Sequence, residues 1–346
     1  MNEARKRITL IFRGSVTQQD FIQDAKCAQK KVDNPAAHIS SPPVTTTINV
    51  HSGFYGKCKQ ENSCIVFVRL LIQSYLIDTE YLFKVNKTTR KPRIETIRED
   101  LRKLIRQYPG FHIYCAGHSL GGALCTLFGF YAASDDTIAR NGPVTIVSVA
   151  SPYVGNIKFR LAFQDLERKK RLRHLRIANA EDMVTLLPFA SLKVGALSPI
   201  VAFSKGAGNL YKHVGMRLQL SDNKDDSLPP SYSLSFPKDH GTTDEEYGKE
   251  VRDSLDAGKS LMNAFYCLIK QDFATVKKHH SCEEYEARLE IACKEALSSL
   301  TLEDLYADKK LVGDTLNETY NPVLMTSTKD KVRRMFSVSR APSLTK

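Results

Sequence analysis

The 346-residue sequence contains no tryptophan, no Cys-x-x-Cys pair and no long apolar run. Its most apolar stretch, residues 65–77, is interrupted by Arg69 and Gln73 and is shorter than the ~18 residues that a membrane-spanning helix needs. We therefore expect no integral membrane segment. The eight cysteines are scattered, which argues against a zinc site. Because the first apolar run stops at Arg13, we expect no signal peptide, and we expect mostly free thiols in a reducing compartment.

Acidic residues are in deficit: 38 aspartates and glutamates stand against 50 lysines and arginines, which gives a formal net charge of +12. An excess of positive charge favours anionic membrane surfaces or nucleic acid as partners. No nucleic-acid-binding motif occurs, and the basic residues do not alternate with aromatic ones in one block. We therefore expect no nucleic-acid partner, and a lysine-rich solvated surface remains the alternative to an anionic surface as a partner.

Short apolar runs alternate with amphipathic segments along most of the chain. We predict strands at residues 8–12, 47–51, 111–116, 144–150, 172–178 and 216–220, and helices at residues 18–30, 66–82, 90–108, 120–133 and 156–169. This alternation is typical of the α/β class, with a mainly parallel sheet covered by helices on both faces. Helices are also predicted at residues 245–278 and 283–300, and a capping-box-like start at 301–304. We divide the chain into an α/β domain at residues 1–250, a helical extension at 251–318 and a basic, disordered tail at 319–346.

The segment Gly117-His118-Ser119-Leu120-Gly121 has the Gly-x-Ser-x-Gly pattern of a nucleophile elbow. A predicted buried strand precedes it and an apolar helix follows it, which is the context that the pattern requires. The turn is so sharp that the residues two positions from the serine have no room for a Cβ atom. Ser119 is therefore the candidate nucleophile, at the N-terminus of a helix where the dipole favours a developing negative charge.

A serine hydroxyl needs a base, an orienting acid and two N–H donors for the oxyanion. In this class of fold the acid follows the serine and the histidine comes last. Asp182 comes just after the strand at 172–178 and is the preferred acid, with Glu181 as its rival. Leu120 supplies one oxyanion donor, and Ser15, in the loop after the strand at 8–12, is the candidate for the second.

Four histidines follow Asp182 in the sequence. His240 lies in a loop, from which an imidazole can reach the elbow, and it is the preferred base. His213 lies just before a strand and is the alternative. The pair His279 and His280 lies in a lysine-flanked helical segment and is interpreted as solvated surface.

With these residues identified, the chain resembles the class 3 lipase family of fungal-type triacylglycerol lipases and their plant and algal relatives. The segments that carry the resemblance follow the family's order: Phe12-Arg-Gly-Ser15, Gln19–Asp24, Val50-His-Ser-Gly-Phe54, the elbow, Ala150–Asn156, Arg176-Ile-Ala-Asn-Ala-Glu-Asp182, Tyr211-Lys-His-Val-Gly215 and Asp239-His240. The similarity covers residues 8 to about 250. It favours His240 as the base and makes His213 a structural residue.

The resemblance implies an α/β-hydrolase-like fold and hydrolysis of acylglycerol esters through an acyl-enzyme, with no metal and no organic cofactor. It also implies a mobile lid near Phe21 and Ile22, where many relatives carry tryptophan, and a transient association with lipid surfaces. We expect a cytoplasmic or lipid-surface-associated protein, either truncated at its N-terminus or with a different sheet edge, because few residues precede Phe12. The alternatives are a phospholipase A1 or galactolipase, and an inactive hydrolase-like scaffold that binds partners.

Overall fold

The computed structural model describes residues 1–14, 29–51, 65–70, 73–78, 92–186, 211–221, 231–237, 273–293 and 301–307. Its strands are β1 (Arg7–Phe12), β2 (Gln29–Asp33), β3 (Thr47–His51), β4 (Ile65–Leu70), β5 (Gln73–Asp78), β6 (His112–His118), β7 (Val144–Val149), β8 (Gly155–Asn156), β9 (Leu172–Asn179), β10 (Tyr211–Lys212), β11 (Met216–Ser221) and β12 (Ser231–Ser235). Its α-helices are α1 (Arg93–Gln107), α2 (Leu120–Ala133), α3 (Ile157–Arg168), α4 (Phe273–His280), α5 (Cys282–Ala292) and α6 (Leu302–Ala307).

The main sheet has the strand order β1-β6-β7-β9-β11-β12. All neighbouring strands from β1 to β11 are parallel, and β12 pairs antiparallel with β11. Parallel neighbours need a crossover connection, and α2 and α3 supply the connections from β6 to β7 and from β7 to β9. The predicted α/β class with a mainly parallel sheet is confirmed. A smaller antiparallel sheet has the order β10-β8-β3-β2.

Helices cover both faces of the main sheet. On one face α2 packs closely, since a Cβ atom at Gly129 would lie 2.4 Å from Ile146 Cδ1. Ile146 is the register partner of His174, so Ile177, three positions further along β9, faces the opposite side. That side is covered by α5 and α6. Its buried cluster contains Ala150, Ile177, Met216, Leu218, Leu220, Leu234, Phe236, Tyr285, Ala292 and Leu305.

Two predicted helices differ from the structure, and three further strands were not predicted. The helix predicted at 66–82 is wrong where the structure describes it, because β4 (Ile65–Leu70) and β5 (Gln73–Asp78) pair as antiparallel strands. The run Ile65-Val-Phe-Val68 is rich in β-branched and aromatic residues, which favour strands, and short apolar runs do not separate the two periodicities. Residues 29 and 30, predicted as helical, begin β2, while residues 18–28 lie outside the described residues. The strands β8, β10 and β12 were not predicted.

The division of the chain at residues 250 and 318 remains a prediction. Within the described ranges, no helix combines the length and the apolar character that a bilayer crossing requires.

Candidate active site

The turn between β6 and α2 holds Ser119 in a backbone conformation that side-chain-bearing residues rarely adopt, with φ 57° and ψ −128°. Tight packing leaves no alternative to glycine on either side. A Cβ atom at Gly117 would lie 2.2 Å from the carbonyl oxygen of Gly121, and one at Gly121 would lie 2.1 Å from the carbonyl oxygen of Phe12. The elbow is therefore wedged against the end of β1.

Hydrogen bonds to neighbouring backbone hold the strained serine in place. The Ser119 N–H donates to the carbonyl of Val149 at the end of β7 (2.9 Å), and the Ser119 carbonyl accepts from the N–H of Gly122 (2.9 Å). Leu120 is the first residue of α2, where backbone N–H groups have no partner within the helix. The N–H of Leu120 directly follows Ser119 in the chain and is the candidate donor to an oxyanion.

The end of β1 comes close to the serine from a second direction. A Cβ atom at Gly14 would lie 2.7 Å from the carbonyl oxygen of His118 and 3.3 Å from Ser119 Cβ. Ser15, the expected second oxyanion donor, follows Gly14 directly and lies outside the described residues. Gly14, the last described residue of this loop, thus lies beside Ser119, on the side where a second oxyanion donor is expected.

The imidazole of His280 bridges the serine and an acid. Its Nε2 atom is 2.8 Å from Ser119 Oγ, and its Nδ1 atom is 2.9 Å from Asp182 Oδ2. Because a carboxylate can only accept, Nδ1 carries a proton and Nε2 is left to accept the proton of the serine hydroxyl. The three side chains have the geometry of nucleophile, base and orienting acid.

Asp182 is buried, with 1% of its surface exposed, and its carboxylate accepts hydrogen bonds from three donors. Oδ1 accepts from the N–H of Val184 (2.9 Å), and Oδ2 accepts from the hydroxyl of Tyr285 (2.8 Å) as well as from His280. Burial and the carboxylate together raise the pKa of Tyr285 above its ordinary value, so its hydroxyl stays a donor. The same hydroxyl accepts from the N–H of Asn179 (2.9 Å), which ties it to the end of β9.

His118, the second residue of the elbow, contacts His280 directly. Its Nε2 atom lies 3.0 Å from the His280 carbonyl oxygen, and the two ring centroids are 4.9 Å apart. Burial, and next the neighbouring imidazole of His280, lower the pKa of His118 to about 4. A neutral His118 therefore donates its Nε2 proton to the backbone of His280 and holds that residue against the elbow.

The expected base, His240, lies outside the described residues, and so do the expected lid residues Phe21 and Ile22. His213, the alternative base, stacks on Tyr153 with ring centroids 3.7 Å apart, and its Nε2 donates to the carbonyl of Thr185 (2.8 Å). It does not contact the serine. Glu181, the rival acid, pairs with Arg288 at 2.6 Å.

The interpretation of His280 as solvated surface was wrong, because its side chain is only 17% exposed and makes both contacts described above. One signal in the sequence pointed to it. Ser281-Cys-Glu-Glu284 is a capping-box pattern, and the Ser281 side chain accepts from the N–H of Glu284 at 3.2 Å. The pattern marks a helix start directly after His280, so His280 lies at a break between helices.

Comparison with known families decides the classification. The model of the family described as Lipase (class 3) matches residues 9–192. The chain belongs to the class 3 lipase family. The α/β-hydrolase fold is that of this family, and a Ser-Asp-His triad is consistent with it.

The curated proteins that resemble this chain include plant enzymes. Phospholipase A1-Igamma2 of Arabidopsis thaliana is 26% identical over 241 residues, which cover 67% of this chain and 40% of that protein. Phospholipase A1-Igamma1 of the same plant is 26% identical over 284 residues, which cover 78% of this chain and 50% of that protein. This class 3 lipase chain thus spans about half the length, or less, of these relatives.

Solved structures with similarity include fungal lipases. The lipase–propeptide complex of Rhizomucor miehei is 21% identical, with a TM-score of 0.38, and the match covers 65% of this chain and 52% of that one. The Lip2 lipase of Yarrowia lipolytica is 24% identical, with a TM-score of 0.39, and the match covers 63% of this chain and 59% of that one.

Proposed function

We propose that this class 3 lipase family member hydrolyses carboxylic esters of lipids through an acyl-enzyme formed on Ser119. The observation that carries the proposal is the bridging position of His280, 2.8 Å from Ser119 Oγ and 2.9 Å from Asp182 Oδ2. In the proposal the base is His280 rather than His240. Asp182 holds the Nδ1–H tautomer and stabilises the imidazolium that forms during the reaction.

In the first half of the reaction, Ser119 Oγ attacks the carbonyl carbon of the ester while Nε2 of His280 takes the hydroxyl proton. The carbonyl oxygen becomes an anion, which accepts from the N–H of Leu120 and, in our proposal, from Ser15. When the tetrahedral intermediate collapses, the ester C–O bond breaks and the imidazolium gives its proton to the leaving alcohol. The products are the free alcohol and the acyl-enzyme.

In the second half, His280 takes a proton from water, and the hydroxide attacks the acyl carbon of the Ser119 ester. Collapse of this intermediate breaks the bond to Ser119 Oγ, which recovers its proton from the imidazolium. A free fatty acid leaves. Each half uses the same base and the same oxyanion donors, so the loss of either one stops both halves.

Among lipid substrates, we propose phospholipids first and acylglycerols second. The curated relatives cited above are called phospholipases A1, and another relative, 27% identical, is called galactolipase DONGLE. The net charge of +12 favours anionic lipid surfaces, although salt screens this attraction. Association with such a surface, and with it a cytoplasmic or lipid-surface location, forms part of the proposal.

Two experiments test the enzyme proposal. A fluorophosphonate probe is expected to label the wild-type protein and not the S119A variant. Fatty-acid release from phosphatidylcholine vesicles, dispersed monogalactosyldiacylglycerol and emulsified triacylglycerol then ranks the substrates. An unlabelled wild-type protein that releases no fatty acid would favour the scaffold alternative.

The lid proposal for Phe21 and Ile22 has its own test. An apolar lid that opens at a lipid surface predicts a steep rise in rate when a short-chain ester passes from monomers to emulsion. The F21S/I22S variant is expected to lose that rise while keeping its rate on monomers. Equal wild-type rates on both forms of the ester would argue against a lid.

A further inference from the structure

Arg288 connects the two chain segments that carry the acid and the base. It lies on α5, is 3% exposed, and its Nη1 donates to Glu181 Oε2 at 2.6 Å. Its Nη2 donates to His279 Nδ1 at 3.3 Å. Glu181 precedes Asp182 and His279 precedes His280, so one guanidinium contacts the neighbour of each catalytic candidate.

The guanidinium is itself held in a fixed orientation. Glu284, one turn earlier on α5, accepts from Arg288 Nε at 2.9 Å and from Nη2 at 2.8 Å. A planar guanidinium with several of its donors engaged has little freedom to rotate. Burial opposes the charge, but the bonds to the two glutamates outweigh it and raise the pKa of Arg288. Arg288 is therefore a charged, preoriented connector.

Other contacts between the same segments act on the triad at different atoms. The hydroxyl of Tyr285 donates to Asp182 Oδ2, and Asn179 Nδ2 donates to the carbonyl of His279 at 3.0 Å. Tyr285 precedes Arg288 by three positions, so both project from one side of α5 toward the acid. Among these contacts, Arg288 provides the ion pair, and it alone engages the residue before the acid together with the residue before the base.

We propose that Arg288 is a positioning residue that sets the distance between the Asp182 carboxylate and the His280 imidazole by clamping Glu181 and His279. The inference rests on the proposed function of the triad. Without the clamp, the α4–α5 turn can shift relative to the end of β9. A shift of about 1 Å in a catalytic group can cost on the order of 100-fold in rate.

The test compares R288Q and R288K with the wild type on a soluble p-nitrophenyl ester. R288Q is expected to lower kcat about 10- to 100-fold with little change in KM, because the clamp contacts of Arg288 are to Glu181 and His279 and act through the acid and the base. R288K keeps one charged contact and is expected to recover part of the lost kcat. The rate of fluorophosphonate labelling at Ser119 should fall in parallel with kcat.

R173Q is the matched control, because Arg173 on β9 also pairs with the helical extension, at 2.6 Å from Glu303 on α6, but away from the triad. It is expected to leave kcat unchanged. Should R288Q fail to fold, E181Q removes the same ion pair from its more exposed side, since the Glu181 side chain is 33% exposed. E181Q is expected to lower kcat in the same direction.

The outcomes separate the two proposals. Wild-type kcat and labelling rates in folded R288Q and E181Q would overturn the clamp and leave the enzyme proposal standing. A rise in KM at constant kcat would overturn it as well. A wild-type protein that is neither labelled nor active would overturn the proposed function, and the clamp with it.

Discussion

At the scale of single residues, the hydroxyl of Tyr285 shares Asp182 Oδ2 with His280. Two donors on one oxygen fix the lone pair that faces the imidazole, and Tyr285 is in turn fixed by the N–H of Asn179. The acid is thus oriented by a side chain from the helical extension as well as by its own loop.

The Y285F variant removes this hydroxyl and keeps the ring. We expect kcat to fall about 10-fold, because Asp182 loses one oriented donor and the N–H of Asn179 loses its acceptor. Steady-state kinetics measures the fall. Y306F is the control, since Tyr306 also fastens the extension to β9, through the His174 backbone, away from the serine. Equal kcat values for Y285F and wild type would contradict the orienting role.

Replacing the base distinguishes the two histidines that sequence and structure favour. H280N is expected to lower kcat by at least ~10³-fold, because the serine loses its proton acceptor. H240N is expected to keep most of the activity. Ester hydrolysis and fluorophosphonate labelling of both purified variants measure this, and a dead H240N beside an active H280N would return the role to His240.

Ser119 and Asp182 could be selected from the sequence because each depends on local order. A glycine-flanked serine between strand and helix, and a carboxylate after a strand end, are patterns within a few residues. His280 acts across 98 residues from Asp182 and 161 from Ser119, and several histidines fit the required chain order. The capping box at Ser281–Glu284 marks a helix start after His280, but the packing of α4 and α5 against the loop of Asp182 decides which imidazole reaches the serine.

At the scale of secondary-structure elements, the elbow is held between β1 and α2. G121A tests this packing, because its Cβ atom would lie 2.1 Å from the Phe12 carbonyl oxygen and 2.8 Å from two further backbone carbons. Backbone cannot yield as a flexible side chain can, so we expect a lower melting temperature and loss of labelling at Ser119. G110A is the control, since a Cβ atom there would meet nothing within 4 Å, although its φ of +80° adds some strain. An unchanged melting temperature for G121A would show that β1 can move away.

The elements also show where sequence patterns suffice. The helices α1 and α3 and the strand β9 begin and end within a few residues of the predicted positions. The paired strands β4 and β5 were missed because a short continuous apolar run such as Ile65-Val-Phe-Val68 fits a buried helix segment as well as a buried strand. Their strand state depends on pairing between the two segments.

At the scale of the whole molecule, buried histidines set the response to acid. Burial lowers the pKa of His174 to about 3 and that of His118 to about 4, whereas both groups titrate near 6.5 when unfolded. Between pH 6.5 and 4, His174 and His118 are therefore protonated in the unfolded chain but remain neutral in the folded one. Stability is complete above pH 6.5 and falls as the pH drops, by about 1.4 kcal/mol per pH unit for the fully buried His174.

Urea unfolding at pH 7 and pH 5 measures this dependence. H174N is expected to reduce the loss of unfolding free energy over that interval, because one buried proton acceptor is gone. H38N, at an exposed position, should keep the wild-type loss. An identical pH dependence in H174N and wild type would contradict the assignment.

The helical extension completes both the core and the site. A chain that ends at residue 272 lacks His280, Tyr285 and Leu305, of which the last two are buried against the sheet. We expect this truncation to abolish labelling and cooperative unfolding, since each large buried side chain contributes about 1.5–3 kcal/mol. A chain ending at residue 318 is expected to retain both. Labelling of the shorter chain would contradict the role given to α4 and α5.

The separation of nucleophile and base along the chain has a consequence for biosynthesis. A ribosome releases Ser119 and its elbow 161 residues before His280 emerges. Until α4 and α5 have been translated and have packed against the loop of Asp182, the Ser119 hydroxyl of the nascent chain lacks the imidazole that would accept its proton. In the proposed mechanism, ester hydrolysis therefore begins only once His280 has reached Ser119 and Asp182.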